Sequence, residues 1–164
     1  MNITRMAVLL ILALCATFAM AETNAQKAFA KLETLSGSWQ GKNTNGQPVQ
    51  VSFRVTSGGS AIMSEIQGEE DMITMIHLDG DRLLLTHYCG AGNQPRMKAT
   101  ASPDGKTITF DFVDATNLSS PQAGHMQRVI FTIPDGNHHS EEWLFVQDGK
   151  EAHQRFDLQR QKPI

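Results

Sequence analysis

From Ser38 onwards, apolar and polar residues alternate with period two, and each alternating run is broken by a short turn signal. That period places successive side chains on opposite faces of an extended strand. Ten runs predict strands over residues 38–42, 48–56, 60–67, 71–78, 81–89, 95–101, 106–113, 125–133, 139–147 and 151–160. Between them lie Asn45-Gly46, Ser57-Gly58-Gly59, Asp79-Gly80, Pro103-Asp104-Gly105, Pro134-Asp135-Gly136 and Asp148-Gly149. Asp-Gly between alternating runs is a strong hairpin signal, because such turns need residues that tolerate positive φ. No stretch between the runs offers a crossover helix, so consecutive strands are expected to pair antiparallel. An open ten-stranded sheet would expose two edges, and closure removes both. The pattern therefore predicts an all-β, about ten-stranded antiparallel up-and-down barrel. A short helix over residues 24–35 precedes it, with Ala28, Phe29, Leu32 and Leu35 on one face and Lys27 and Lys31 on the other, laid across an opening of the sheet. The one long stretch predicted outside strands is 114–124.

Turn positions set registers, and a one-residue slip would invert every side chain. Symmetric pairing about Asp79-Gly80 puts Ile76 opposite Leu83, Thr74 opposite Leu85 and Met72 opposite His87, with Cys89 on the same inward face. About Pro103-Asp104-Gly105, Met97, Ala99 and Ala101 go inward with Ile108, Phe110 and Phe112, and Arg96 meets Asp111 outside. About Asp148-Gly149, Glu141 faces Phe156, Trp143 faces Gln154 and Phe145 faces Ala152. The inward set there is His139, Glu141, Trp143, Phe145, Gln154, Phe156, Leu158 and Arg160. An apolar interior with a few polar groups suits a pocket that orients an amphipathic ligand. The alternative is that these polar groups satisfy one another.

The first strand opens on Gly37-Ser38-Trp39, and the last ends on Arg160. In a closed meander these strands pair, which brings the guanidinium over the indole ring and seals that end. Gly-x-Trp at the first strand with an Arg closing the last resembles the calycin superfamily of lipocalins, fatty-acid-binding proteins and nitrobindin-like barrels. Three further stretches, His77-Leu78-Asp79-Gly80-Asp81, Leu85-Thr86-His87-Tyr88-Cys89 and Asn93-Gln94-Pro95-Arg96-Met97, resemble a family of exported bacterial proteins of unknown function. The resemblance implies a barrel that holds a small apolar molecule, with Gly37, Trp39 and Arg160 as its structural closure.

The remaining composition narrows the partners. Residues 1–21 read as a signal peptide: Arg5 in a short charged start, an apolar run over 6–18, and the cleavage signal Ala19-Met20-Ala21. The run is too short to span a membrane. The expected mature domain is 22–164, beginning at Glu22 and located in the periplasm or secreted. Losing Arg5 takes the net charge from −3 to about −4. No basic run appears, which argues against nucleic acid. Cys89 is then the only cysteine, so no disulfide staples the domain.

Catalytic and metal chemistry find weak footing in the six histidines. His138 and His139 are strand neighbours on opposite faces and cannot chelate together, and no zinc-type spacing occurs. The nitrobindin-like resemblance implies haem held by a histidine near the C-terminus. The nearest equivalent, His153, has outward parity, so His87 or His139 would have to substitute. His87 and Cys89 share a face and make an alternative nucleophile–base pair, without a recognisable oxyanion loop. The expectation is an exported barrel with no cofactor, no metal and no catalytic residue, binding a small apolar or amphipathic molecule; the alternatives are a small enzyme using His87 and Cys89, a haem-binding nitrobindin-like barrel, and a structural or interaction barrel whose interior is fully packed. Its candidate interior residues are Met72, Thr74, His87, Cys89, Arg128, His139, Glu141, Trp143 and Phe156. Among them Arg128 is a candidate anchor for an anionic head group.

Overall fold

The structure is a computed structural model that describes residues 21–68 and 71–162. The expected signal peptide lies outside the described residues, apart from Ala21. The chain forms one helix, α1 (Asn24–Glu33), then ten strands: β1 (Gly37–Lys42), β2 (Pro48–Thr56), β3 (Ala61–Gln67), β4 (Met72–Asp79), β5 (Arg82–Tyr88), β6 (Gln94–Ala101), β7 (Thr107–Thr116), β8 (His125–Thr132), β9 (His138–Gln147) and β10 (Lys150–Arg160). Every neighbouring pair is antiparallel, and β1 pairs with β10 to close the barrel. Trp39 lies opposite Arg160 in that seam.

α1 starts because Thr23 caps it. The Thr23 hydroxyl accepts from Gln26 N–H at 3.1 Å, and the Gln26 side chain accepts from Thr23 N–H at 2.8 Å. Its buried face is Ala28, Phe29 and Leu32, continued by Leu35, and it rests on β2, β4, β5 and β6. Burying Phe29, Leu32 and Leu35 contributes about 1.5–3 kcal/mol each. The helix thus covers the barrel end where the β4–β5 and β6–β7 hairpins turn. The opposite end is ringed by the β1–β2, β5–β6, β7–β8 and β9–β10 loops and is not covered by the helix.

Most predicted faces match, and four predicted pairings differ. The β9–β10 hairpin pairs Glu141 with Phe156, Trp143 with Gln154 and Phe145 with Ala152 as expected. Its two-residue loop has Asp148 at φ 49° and Gly149 at φ 72°, the paired positive values that a tight hairpin needs. In the β4–β5 hairpin Thr74 pairs with His87, Ile76 with Leu85 and Leu78 with Leu83. This register is displaced by two residues from the expected one, because Gly80-Asp81 rather than Asp79-Gly80 forms the loop. An even displacement leaves the faces unchanged. Between β6 and β7 a bulge at Arg96/Met97 shifts Arg96 to Asp114. The guanidinium grips that carboxylate through two contacts of 2.5 and 2.6 Å. Asp111, its expected partner, instead accepts from Arg128 Nε at 2.6 Å. β7 also runs three residues further than expected, so the long loop begins after Thr116.

The barrel middle is filled. Phe131 stands edge-on to Phe53, Phe110 and Trp143, with ring centroids 6.0–6.5 Å apart. Ile62, Ile76, Leu85, Met97, Ile108 and Val129 enclose this cluster and are wholly buried. At the seam, Gly41 faces the Asp157 carbonyl so closely that a Cβ there would overlap it. Close approach of β1 to β10 therefore requires glycine at 41.

Candidate functional site

A continuous polar and aromatic line runs through this interior. At the helix-covered end, the Arg160 guanidinium lies 4.2 Å from the Trp39 ring centroid. Arg160 donates to the carbonyls of Thr34, Ser36 and Gly136 at 2.5–2.7 Å, and Trp39 Nε1 donates to Leu35 O at 2.7 Å. Trp39 thereby satisfies the carbonyl of buried Leu35, and Arg160 ties the segment leaving α1 to the β8–β9 turn. Edge-on to Trp39 at 4.3 Å stands His139. Its Nε2 lies 3.2 Å from Glu141 Oε1, and Trp143 Nε1 donates to Glu141 Oε2 at 3.0 Å. Trp143 then packs against His87 at 4.7 Å, and His87 Nδ1 lies 2.9 Å from Thr74 Oγ1. Glu141 and His87 have no solvent exposure at all.

This line orders the core. Both Glu141 oxygens have partners, which is what makes a buried carboxylate tolerable. Two atoms along the line lack a hydrogen-bond partner, His87 Nε2 and His139 Nδ1. Burial pushes the His87 pKa down to about 4. An unfolded chain protonates this histidine below about pH 6.5, and the folded chain only below about pH 4. Between those values the unfolded state binds more protons, so stability falls as pH falls through this window. Comparing pH 7 with pH 5, His87 accounts for a loss of roughly 2 kcal/mol. Urea denaturation of His87→Asn at the two pH values is expected to show that much less pH dependence than the unsubstituted protein. Equal pH dependence in the two proteins would contradict the neutral buried histidine.

A pocket opens at the end not covered by the helix. It has a volume of about 570 Å³, and its apolar wall is Val49, Ile66, Met72 and Phe156. The rim is polar, from Asn43, Asn45 and Gln47 of the β1–β2 loop. Gln154 also lines it, and its buried Oε1 has no hydrogen-bond partner. The inward parity of β10 brings Gln154 and Phe156 to the same pocket from one strand.

The candidate residues divide accordingly. Met72 and Phe156 line the mouth pocket. Thr74, His87, His139, Glu141 and Trp143 point inward as expected, but they engage one another deeper in the barrel and do not line the mouth. Cys89 lies just beyond β5, half-buried, where its N–H donates to Asn93 O at 3.1 Å and its carbonyl accepts from Gly92 N–H at 2.9 Å. The strand expected to reach Cys89 stops at Tyr88 because the turn begins there. Arg128 requires correction: it is exposed on the outer face and paired with Asp111. Val129 and Phe131 take the inward positions of β8, so their neighbour Arg128 faces solvent. Arg128 is therefore not placed to anchor an anionic head inside the barrel. Gln154 was readable from its parity opposite Trp143. The loop residues of the mouth carry no period and gave no such signal.

The histidine that the resemblance offers for haem, His153, does not face the barrel interior. The His153 side chain is 72% exposed and lies 3.4 Å from Glu151. His87 and His139 point inward with their rings packed against tryptophan, each with one nitrogen hydrogen-bonded and the other without a partner. Among the described residues, no group of three or more His, Cys, Asp or Glu is placed to hold a metal ion. No helix among them is long and apolar enough to cross a membrane.

No family model matches the chain, and no curated protein does. Solved structures do. One is Rv2717c from M. tuberculosis, 20% identical, with a TM-score of 0.57 over 82% of this chain and 98% of that one. Another is a protein of unknown function of the DUF3598 family from Nostoc punctiforme, 9% identical, with a TM-score of 0.53. That match covers 80% of this chain and 49% of the other. These likenesses are of fold.

Proposed function

We propose that this protein is an exported, calycin-like binding barrel that takes a small amphipathic molecule at its uncovered mouth. The observation that carries this reading is the apolar mouth pocket with Gln154 Oε1 left unpartnered beside it. Apolar contact with Val49, Ile66, Met72 and Phe156 supplies most of the affinity, at about 25 cal/mol per Å² of ligand surface removed from water. A ligand hydroxyl or amine that donates to Gln154 Oε1 fixes orientation. Such a donor also removes the cost of a buried polar atom without a partner. None of the described residues that line the pocket is charged. The ligand sits above the aromatic cluster rather than within it. Export enters this reading from the leader pattern of residues 1–21.

The test is titration with N-phenyl-1-naphthylamine, a neutral amphipath with one N–H donor whose fluorescence rises in apolar surroundings. Saturable binding is expected, and Met72→Trp, which fills the pocket with a larger ring, is expected to weaken it at least tenfold. A thermal melt of the variant checks that the barrel is intact. Absence of saturable binding, or equal affinity in a folded Met72→Trp, would overturn the reading.

A further inference from the structure

The same end of the barrel holds a second pocket of different chemistry. Its volume is about 610 Å³, and it lies among the β5–β6, β7–β8 and β9–β10 loops. Asn93, Asn117, Gln122 and Gln147 bring carboxamides to it, Ser119 and Ser120 bring hydroxyls, and Asp148 brings its only charge. Phe145 supplies the aromatic wall.

The pocket is built into the fold rather than left between loose loops. Asn93 is only 3% exposed, and its Nδ2 donates to Gly124 O at 2.8 Å, tying the β5–β6 loop to β8. Asn117 Nδ2 donates to Gly92 O at 2.5 Å, and Asp148 N–H donates to Gln122 O at 3.0 Å. Gly124 lies so near the Phe145 ring that a Cβ would overlap it, which holds the ring in place. Within this wall Asn93 Oδ1 is buried and has no partner. A buried acceptor without a donor is costly, and a ligand or an ordered water that donates to it relieves that cost.

The geometry points to this pocket as a binding site for a neutral, hydroxyl-rich ring, that is, a saccharide unit. Carboxamides and hydroxyls both donate and accept, as vicinal sugar hydroxyls do. An aromatic wall matches the apolar face of a sugar ring. An anion is disfavoured, since Asp148 is the only charged residue in the lining and no cation balances it. An extended peptide would need a free strand edge, and this barrel is closed. This site is separate from the apolar pocket, which is lined from β2, β3, β4, β10 and the β1–β2 loop. A glycolipid would place its head in one pocket and its chain in the other, whereas a free saccharide would occupy the polar pocket alone.

The test follows side-chain and backbone amide NMR signals of the exported domain with three probes: methyl β-glucoside, 1-octanol, and octyl β-glucoside below its micelle concentration. Methyl β-glucoside is expected to shift the amides of Asn93, Asn117 and Gln122. The double variant Gln122→Ala/Gln147→Ala, which alters two exposed side chains, is expected to weaken that binding at least fivefold. If octyl β-glucoside binds at least tenfold more tightly than methyl β-glucoside and shifts both pockets, the site serves a glycolipid. If it shifts the polar pocket with the affinity of methyl β-glucoside, the site serves a free saccharide. Failure of both glucosides to shift the polar-pocket amides would overturn the inference, and binding unchanged in the double variant would do so too. Octanol reports the apolar pocket alone, so its failure would count against the amphipath reading without touching this one.

Discussion

Replacing Trp39 by alanine is expected to destabilise the barrel by about 3–5 kcal/mol, the range for deleting a large buried aromatic. Trp39 has no exposed surface, and it touches every part of the closure. Its ring lies under Arg160 and edge-on to His139, and its Nε1 satisfies Leu35 O. Alanine leaves a cavity at the helix-covered end and an orphaned carbonyl. Arg160→Ala should cost less, about 2 kcal/mol, because it leaves no large cavity. Even so, it removes three hydrogen bonds, those to the carbonyls of Thr34, Ser36 and Gly136. The two losses should not add, since both remove one contact across the β1–β10 seam. A denaturant double-mutant cycle is expected to give a coupling of about 1 kcal/mol. A coupling of zero would mean that the guanidinium does not rest on the indole.

Glu141→Ala should be comparably damaging, at about 3–5 kcal/mol, because it removes one member of a buried, hydrogen-bonded pair. Trp143 Nε1 would then be a buried donor without an acceptor, and His139 would lose the group that orients it. Glu141→Gln keeps the shape and an oxygen for Trp143, so its cost should be about 1 kcal/mol. Urea denaturation of the two variants separates loss of the hydrogen bonds from loss of the charge. If glutamine were as damaging as alanine, the charge of Glu141, and not its bonds, would be what the core requires.

Much of this fold was legible before any coordinates, for reasons tied to particular turns. Asp148-Gly149 supplies two residues that tolerate positive φ, so one register follows and Glu141, Trp143 and Phe156 take their places. Asp79-Gly80-Asp81 offers two overlapping two-residue loops, and alternation alone cannot choose between them, because a shift of two preserves the faces. Thr74 therefore met His87 rather than Leu85. The Arg96 bulge breaks strict alternation, and a bulge leaves no period to read. It freed Asp111 to hold Arg128 outside. Inward parity identified His87, His139 and Glu141, but parity does not measure depth. Contact with Trp39 and Trp143 makes them core, and the mouth falls to Met72, Gln154 and Phe156. The polar pocket was unreadable because its loops join only in three dimensions.

Methyl NMR during a 1-octanol titration decides whether the proposed ligand binds at the mouth or in the barrel middle. Saturable shifts are expected at the methyls of Val49, Ile66 and Met72, which line the mouth pocket, with Ile76, Leu85 and Ile108 unmoved. Shifts concentrated on Ile76, Leu85 and Ile108 would place the ligand inside the barrel and contradict binding at the mouth, and a titration that moves none of these methyls would contradict it too.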